Sequence, residues 1–209
     1  MLRLPLAHVF LLPVLLLQAA PPKLDALFPA GGKRGEALKV KAIGTFKSWP
    51  PRIWTDHPSL SIEANETKGS LSIAIDPQAK MRPALVRLFD ANGSSAAKTF
   101  VISKHKETNE VESNNHLKRA QQLNVTRREI VVNGILKKED SDFFRINLRK
   151  GQTLTARADA YSLGSLVDPF LSLLDPDGHE VALASDSHNL DPALVHKAKL
   201  CGPHYLQIF

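Results

Sequence analysis

Cysteine is almost absent: Cys201 is the single one in 209 residues. It has no internal partner, so no disulfide framework holds this chain together. No Cys–His arrangement stands near it, so it is read as a small, buried or half-buried residue near a strand end rather than a nucleophile. The chain also lacks a Gly-x-Ser-x-Gly elbow and a Gly-rich phosphate loop. Those absences remove the usual sequence signs of hydrolysis and phosphoryl transfer, and no enzyme is expected. Concentrated positive charge is missing too. Lys and Arg number 27 against 21 Asp and Glu, a net charge of +6, but the cations are scattered. Only "TRREI" and "LKKE" approach a cluster, which argues against nucleic acid as a partner. Beyond the N-terminus no apolar run is long enough to span a membrane.

What is present is ordinary globular composition, 43% hydrophobic and 23% charged. The opening "MLRLPLAHVFLLPVLLLQAAPPK" has an early Arg3, an apolar core and small residues at Ala19 and Ala20. That is the three-part form of a secretory signal over residues 1–20. Its apolar stretch is short for a spanning helix, and Pro13 interrupts it. The expected location is secreted, periplasmic or at the cell surface.

From Leu38 onward the hydrophobic period is two. "LKVKAIGTF" alternates, "SLSIEANETKGSLSIAID" reads as two strands about a turn at Asn65–Gly69, and "RPALVRLFDANGSSAAKTFVIS" as two more about Asn92-Gly93. With no long helical period, residues 23–103 are expected to form a β-sandwich. "KHKETNEVESNN" breaks the alternation, and residues 104–122 read as a linker carrying a short helix at "HLKRAQQLN". Strand signals resume in "EIVVNGIL", "DFFRINL", "QTLTARADA", "PFLSLLD", "EVALAS", "ALVHKAK" and "HYLQIF". A second all-β unit is therefore expected over residues 109–209. Its apolar ending, "YLQIF", suggests a terminal strand or one cut short, with an exposed sheet edge.

"NEVESNNHLKRAQQL" gathers oxygen-bearing side chains just ahead of the second unit. Three readings fit it: a solvated linker, Asn and Ser residues capping the short helix, or half of a calcium site. A second acidic stretch holds Asp175, Asp177, Asp186 and Asp191 but lacks EF-hand spacing. Turn chemistry accounts for Asp175 and Asp177 more simply. His179-Glu180 has no second His at the required place, and His188 and His196 lie apart, so zinc is not expected. Trp49 and Trp54 flank "PPRI"; they either form an exposed aromatic patch or, the reading preferred here, plug the end of the first sandwich. Asn65, Asn92 and Asn124 begin glycosylation triplets.

The second half carries, in order, an acidic Asn-Glu-x-Glu opening, "NGI", an Asp-x-Asp-Phe turn, "KGQTL", "LLDPDG" and "CGPHY". This layout resembles the bacterial pre-peptidase C-terminal domain over about 100 residues. The first half, with "FPAGGK" before a strand and "GTF" after it, resembles immunoglobulin-like TIG domains. The resemblance implies a jelly-roll-like sandwich attached as an accessory module to secreted proteases and other exported proteins. In a bacterial protein, which it also implies, the glycosylation triplets carry little meaning. Related collagen-binding domains bind calcium where the acidic opening meets the Asp-x-Asp turn. Carried over by position, the implied ligands are Glu110, Glu112, Asn114, Asn115, Asp140 and Asp142. Ser113 and Asn115 stand where the family more often has Pro and Asp, and the lost carboxylate lowers the expected affinity.

The expectation is thus an all-β protein of two β-sandwich domains, immunoglobulin-like then jelly-roll-like, behind a signal peptide. It is expected to be exported, non-catalytic and stabilised by Ca²⁺, with an extracellular protein or polysaccharide as partner. The alternatives are the non-catalytic part of a secreted hydrolase and a cell-surface spacer.

Overall fold

The computed structural model describes residues 19–125, 129–187 and 189–209. Residues 1–18, which hold most of the expected secretory signal, residues 126–128 and His188 lie outside the described residues. The protein is all-β. In chain order the strands are β1 Lys23–Phe28, β2 Gly31–Lys33, β3 Ala37–Thr45, β4 Arg52–Thr55, β5 Leu60–Ala64, β6 Ser70–Ile75, β7 Pro83–Asp90, β8 Gly93–Ser94 and β9 Lys98–Ser103. They continue with β10 Glu107–Asn109, β11 Gln121–Gln122, β12 Val131–Asn133, β13 Asp142–Leu148, β14 Thr153–Arg157, β15 Leu171–Leu174, β16 Glu180–Ala184, β17 Ala193–Lys197 and β18 Gly202–Ile208.

The first nine strands form two sheets. One runs β1-β3-β6-β5 and the other β2-β9-β7-β4, with β8 completing a short hairpin on β7. Alternation decides which side chains meet between them. Val40 and Ala42 of β3 and Leu71, Ile73 and Ile75 of β6 face Ala84, Val86 and Leu88 of β7 and Phe100 and Ile102 of β9. Each fully buried large side chain contributes roughly 1.5–3 kcal/mol. At the end of this core Trp49 packs on Phe46, ring centroids 5.3 Å apart, and its Nε1 donates to the Asn65 carbonyl at 2.6 Å. Trp49 thus plugs the sandwich, as read from sequence. Trp54 does not: it stands 47% exposed on β4. The Gly31-Gly32 pair lets β2 lie parallel on β9, because a Cβ at Gly31 would come within 2.6 Å of the Val101 carbonyl oxygen.

The second half is built on a five-stranded sheet, β11-β13-β18-β15-β16, and a two-stranded sheet of β14 and β17. Phe144, Ile146 and Leu148 of β13 and Leu171 and Leu173 of β15 are buried, and Leu154 of β14 packs against both groups. Several expectations are corrected here. The supposed linker is not free: β10 pairs in parallel with β12, Glu107 opposite Val131 and Asn109 opposite Asn133. The short helix stands where it was expected, as one local 3-10 turn at Leu117–Arg119, after which the chain enters β11. So short a helix cannot offset the cost of nucleation and grows no further before strand pairing with β13 begins. The C-terminal run is no sheet edge. It lies in β18, hydrogen-bonded to β13 on one side and β15 on the other. Cys201 is exposed rather than buried, because its turn leads into β18 from outside the core.

Candidate cation site

β13 begins at Asp142, and alternation puts that carboxylate on the same side as Phe144, Ile146 and Leu148. Asp142 is therefore 2% exposed. The polar segment ahead of β11 runs past this strand end, and the Asn114 carbonyl accepts the Phe143 N–H at 2.9 Å. That bond seats Asn114 completely inside the protein. Neither side-chain atom of Asn114 has a hydrogen-bond partner, nor does Asp142 Oδ1, Asn115 Oδ1 or Glu110 Oε2, all of them buried. An unmatched buried polar atom costs about 1–3 kcal/mol, and oxygens of Glu110, Asn114, Asn115 and Asp142 are left so in the segments around this strand start.

The remaining contacts aim these groups. Glu110 is held by its backbone N–H on the Asn133 carbonyl at 2.9 Å, and its Oε1 accepts the Ile135 N–H at 2.7 Å. Gly134 makes room for it: a Cβ there would sit 2.6 Å from Glu110 Oε2. Asn115 Nδ2 donates to Asp140 Oδ1, leaving Asn115 Oδ1 free. Asp140 also accepts the Ser141 N–H at 3.0 Å. Glu112, Asp140 and Asp142 each offer an oxygen within 4.8 Å of the others. Lys137 Nζ reaches Glu112 Oε1 at 3.1 Å from the solvent side. Gln121 braces the approach, accepting the Val111 N–H and donating to the Asn109 carbonyl.

The electrostatics follow from this crowding. Burial, and then the negative charges of Glu110 and Asp140, push the Asp142 carboxyl up to about 7. The Lys137 amine is raised, first by its bond to Glu112 and then by that carboxylate's charge. Of the six residues picked from the sequence, Glu112, Asp140 and Asp142 bring oxygens together, Asn115 bonds Asp140, the Glu110 charge acts on Asp142, and Asn114 meets the same strand start through its backbone carbonyl. Reading the sequence missed Gly134, Ile135, Lys137 and Gln121; only the "NGI" pattern pointed at the first two. The capping alternative fails, since the 3-10 turn starts at His116 with no side-chain cap. The donors are carboxylate and amide oxygens, which suit a hard cation such as Ca²⁺.

The other acidic stretch behaves differently. Asp175, Asp177 and His179 also lie close together. However, Asp175 Oδ1 is taken by the Asp177 and His179 N–H groups, both at 2.9 Å, and closes the β15–β16 hairpin. Asp186 is exposed. Asp191 is buried and accepts the backbone N–H groups of Ala160, Tyr161 and Ser162 at 2.9, 2.8 and 3.0 Å. His196 packs beside the buried His204, ring centroids 6.1 Å apart, and its pKa is lowered by burial and then by His204.

No family model matches this chain, and no curated protein matches it either. Among the described residues no helix is long and apolar enough to cross a membrane.

Proposed function

We propose that this chain is an exported, non-catalytic accessory module whose second unit holds Ca²⁺ between Glu110, Glu112, Asn114, Asn115, Asp140 and Asp142. The observation that supports the cation part of this reading is the set of unmatched buried oxygens on Glu110, Asn114, Asn115 and Asp142. The motif order shared with pre-peptidase C-terminal domains supports it from the sequence side. The first unit is read, on its motifs, as TIG-like. The ion would tie the β10–β12 ribbon to the start of β13. Because Asn133 in that ribbon accepts the Ala30 N–H at 3.2 Å and donates to Glu107 at 2.9 Å, the same ion would stiffen the join to the first unit.

Titration calorimetry with CaCl₂ at pH 8 tests this. One saturable site and a rise in melting temperature are expected for the wild type, with both lost in Asp142→Asn. Absence of heat and of any melting shift in the wild type refutes the proposal. Gly134→Ala pushes Glu110 out of place and is expected to weaken Ca²⁺ by roughly 10–100-fold, the usual effect of disturbing a ligand's support. Melting without Ca²⁺ should stay near that of the wild type, because Gly134 is exposed.

A further inference from the structure

Trp54 has no part in the cation site or the core, and its surroundings are specific. On the outer face of the β2-β9-β7-β4 sheet, Trp54 pairs directly with Arg87, and Arg52 with Phe89. Paired residues share one face, with Cβ atoms about 5 Å apart. The outward positions of the three strands are Arg52 and Trp54 on β4, Pro83, Leu85, Arg87 and Phe89 on β7, and Thr99 and Val101 on β9. None is acidic. Asp56, just past β4, is spoken for by Arg82 at 2.8 Å and the Leu85 N–H at 2.7 Å. Asp90 falls on the opposite side by alternation. Neither Arg52 nor Arg87 has a carboxylate partner among the described residues, and both are exposed.

Arg52 and Arg87 stand on the diagonal of this four-residue patch, about 7–8 Å apart at the backbone, so an anion laid between them can meet both positive charges. The charge of the chain is distributed accordingly. Residues 19–104 hold 13 Lys and Arg against 7 Asp and Glu, while residues 105–209 hold 13 against 14. The positive excess therefore sits on the unit that carries this face. Arg52 lies over the Phe89 ring, 5.0 Å from its centroid, which fixes its fork and covers that ring. Among the outward residues named above, Trp54 is then the exposed ring left open for stacking. A single-stranded nucleic acid needs a series of rings for successive bases. One indole plane flanked by two guanidinium forks fits instead a pyranose face with carboxylates beside it.

We infer that the Arg52–Trp54–Arg87–Phe89 face binds an anionic polysaccharide of the uronate class, the indole stacking on a sugar ring and the arginines taking carboxylates. The inference is independent of the cation site. Tryptophan fluorescence titration with polygalacturonate, in EDTA and at 150 mM NaCl where diffuse attraction is screened, tests it. Saturable binding is expected, at least tenfold weaker in both Trp54→Ala and Arg87→Ser (the first followed by calorimetry), and unchanged in Lys68→Ser in the turn between β5 and β6. Neutral dextran should not bind. The inference is overturned by no binding, by equal losses in Lys68→Ser, or by dextran binding as well. Tighter binding of a thymidine oligonucleotide through the same residues would assign the face to nucleic acid instead and likewise overturn it.

Discussion

Asp142→Asn should make the cation-free protein more stable at pH 8 while leaving it unresponsive to Ca²⁺. The Asp142 carboxyl titrates near 7 in the folded chain against an ordinary value of 3.8. Between those values the folded state holds a proton that the unfolded state has released. Stability therefore falls as pH rises from about 4 to about 7, and is level above. A shift of this size corresponds to roughly 4 kcal/mol. The amide copies the protonated acid, so the variant escapes that loss. Ca²⁺ restores it differently, by neutralising the ionised carboxylate, and its binding expels the proton. The melting difference with and without CaCl₂ should accordingly widen from pH 5 to pH 8 in the wild type. Denaturant titrations over that range are the measurement. A variant less stable than the wild type at pH 8 in EDTA would show that Asp142 makes a favourable contact as an anion, contrary to the site described.

Asp191→Ala is expected to cost about 2–4 kcal/mol, with no effect on Ca²⁺. The carboxylate lies in the interior, and its loss strands the N–H groups of Ala160, Tyr161 and Ser162. Burial alone would raise its pKa, but bonds from Ser162, Ala160 and Tyr161 outweigh burial and hold it below the ordinary 3.8. The sign is opposite to that of Asp142. This contribution is fully present above pH 3.8 and is lost as pH falls through the lower folded value. Asp191→Asn keeps an acceptor and should cost less than the alanine. Urea unfolding at pH 7 measures both, and an alanine variant as stable as the wild type would remove Asp191 from the fold's support.

The two aspartates explain how far reading the residues could go. Alternation in "DFFRINL" is enough to place Asp142 on the core side of a strand, so its burial was legible. For Asp191 nothing in the sequence marks the three amides it serves, which lie 29 to 31 residues earlier. Non-local acceptors leave no spacing to read. The same division holds at Trp49 and Trp54. Both flank "PPRI", yet one fills the end of the core and the other opens to solvent.

Hydrophobic period two, turn residues at regular spacing and the lack of an amphipathic helical stretch determined by themselves that this protein is all-β. Those signals are local, because side-chain direction along a strand depends on the backbone alone. Only the tertiary structure decided that the polar segment ahead of β11 meets the start of β13, that β10 joins β12, and that the final strand is central. Each of these is a pairing between distant segments, selected by which buried polar and apolar groups can be matched at once.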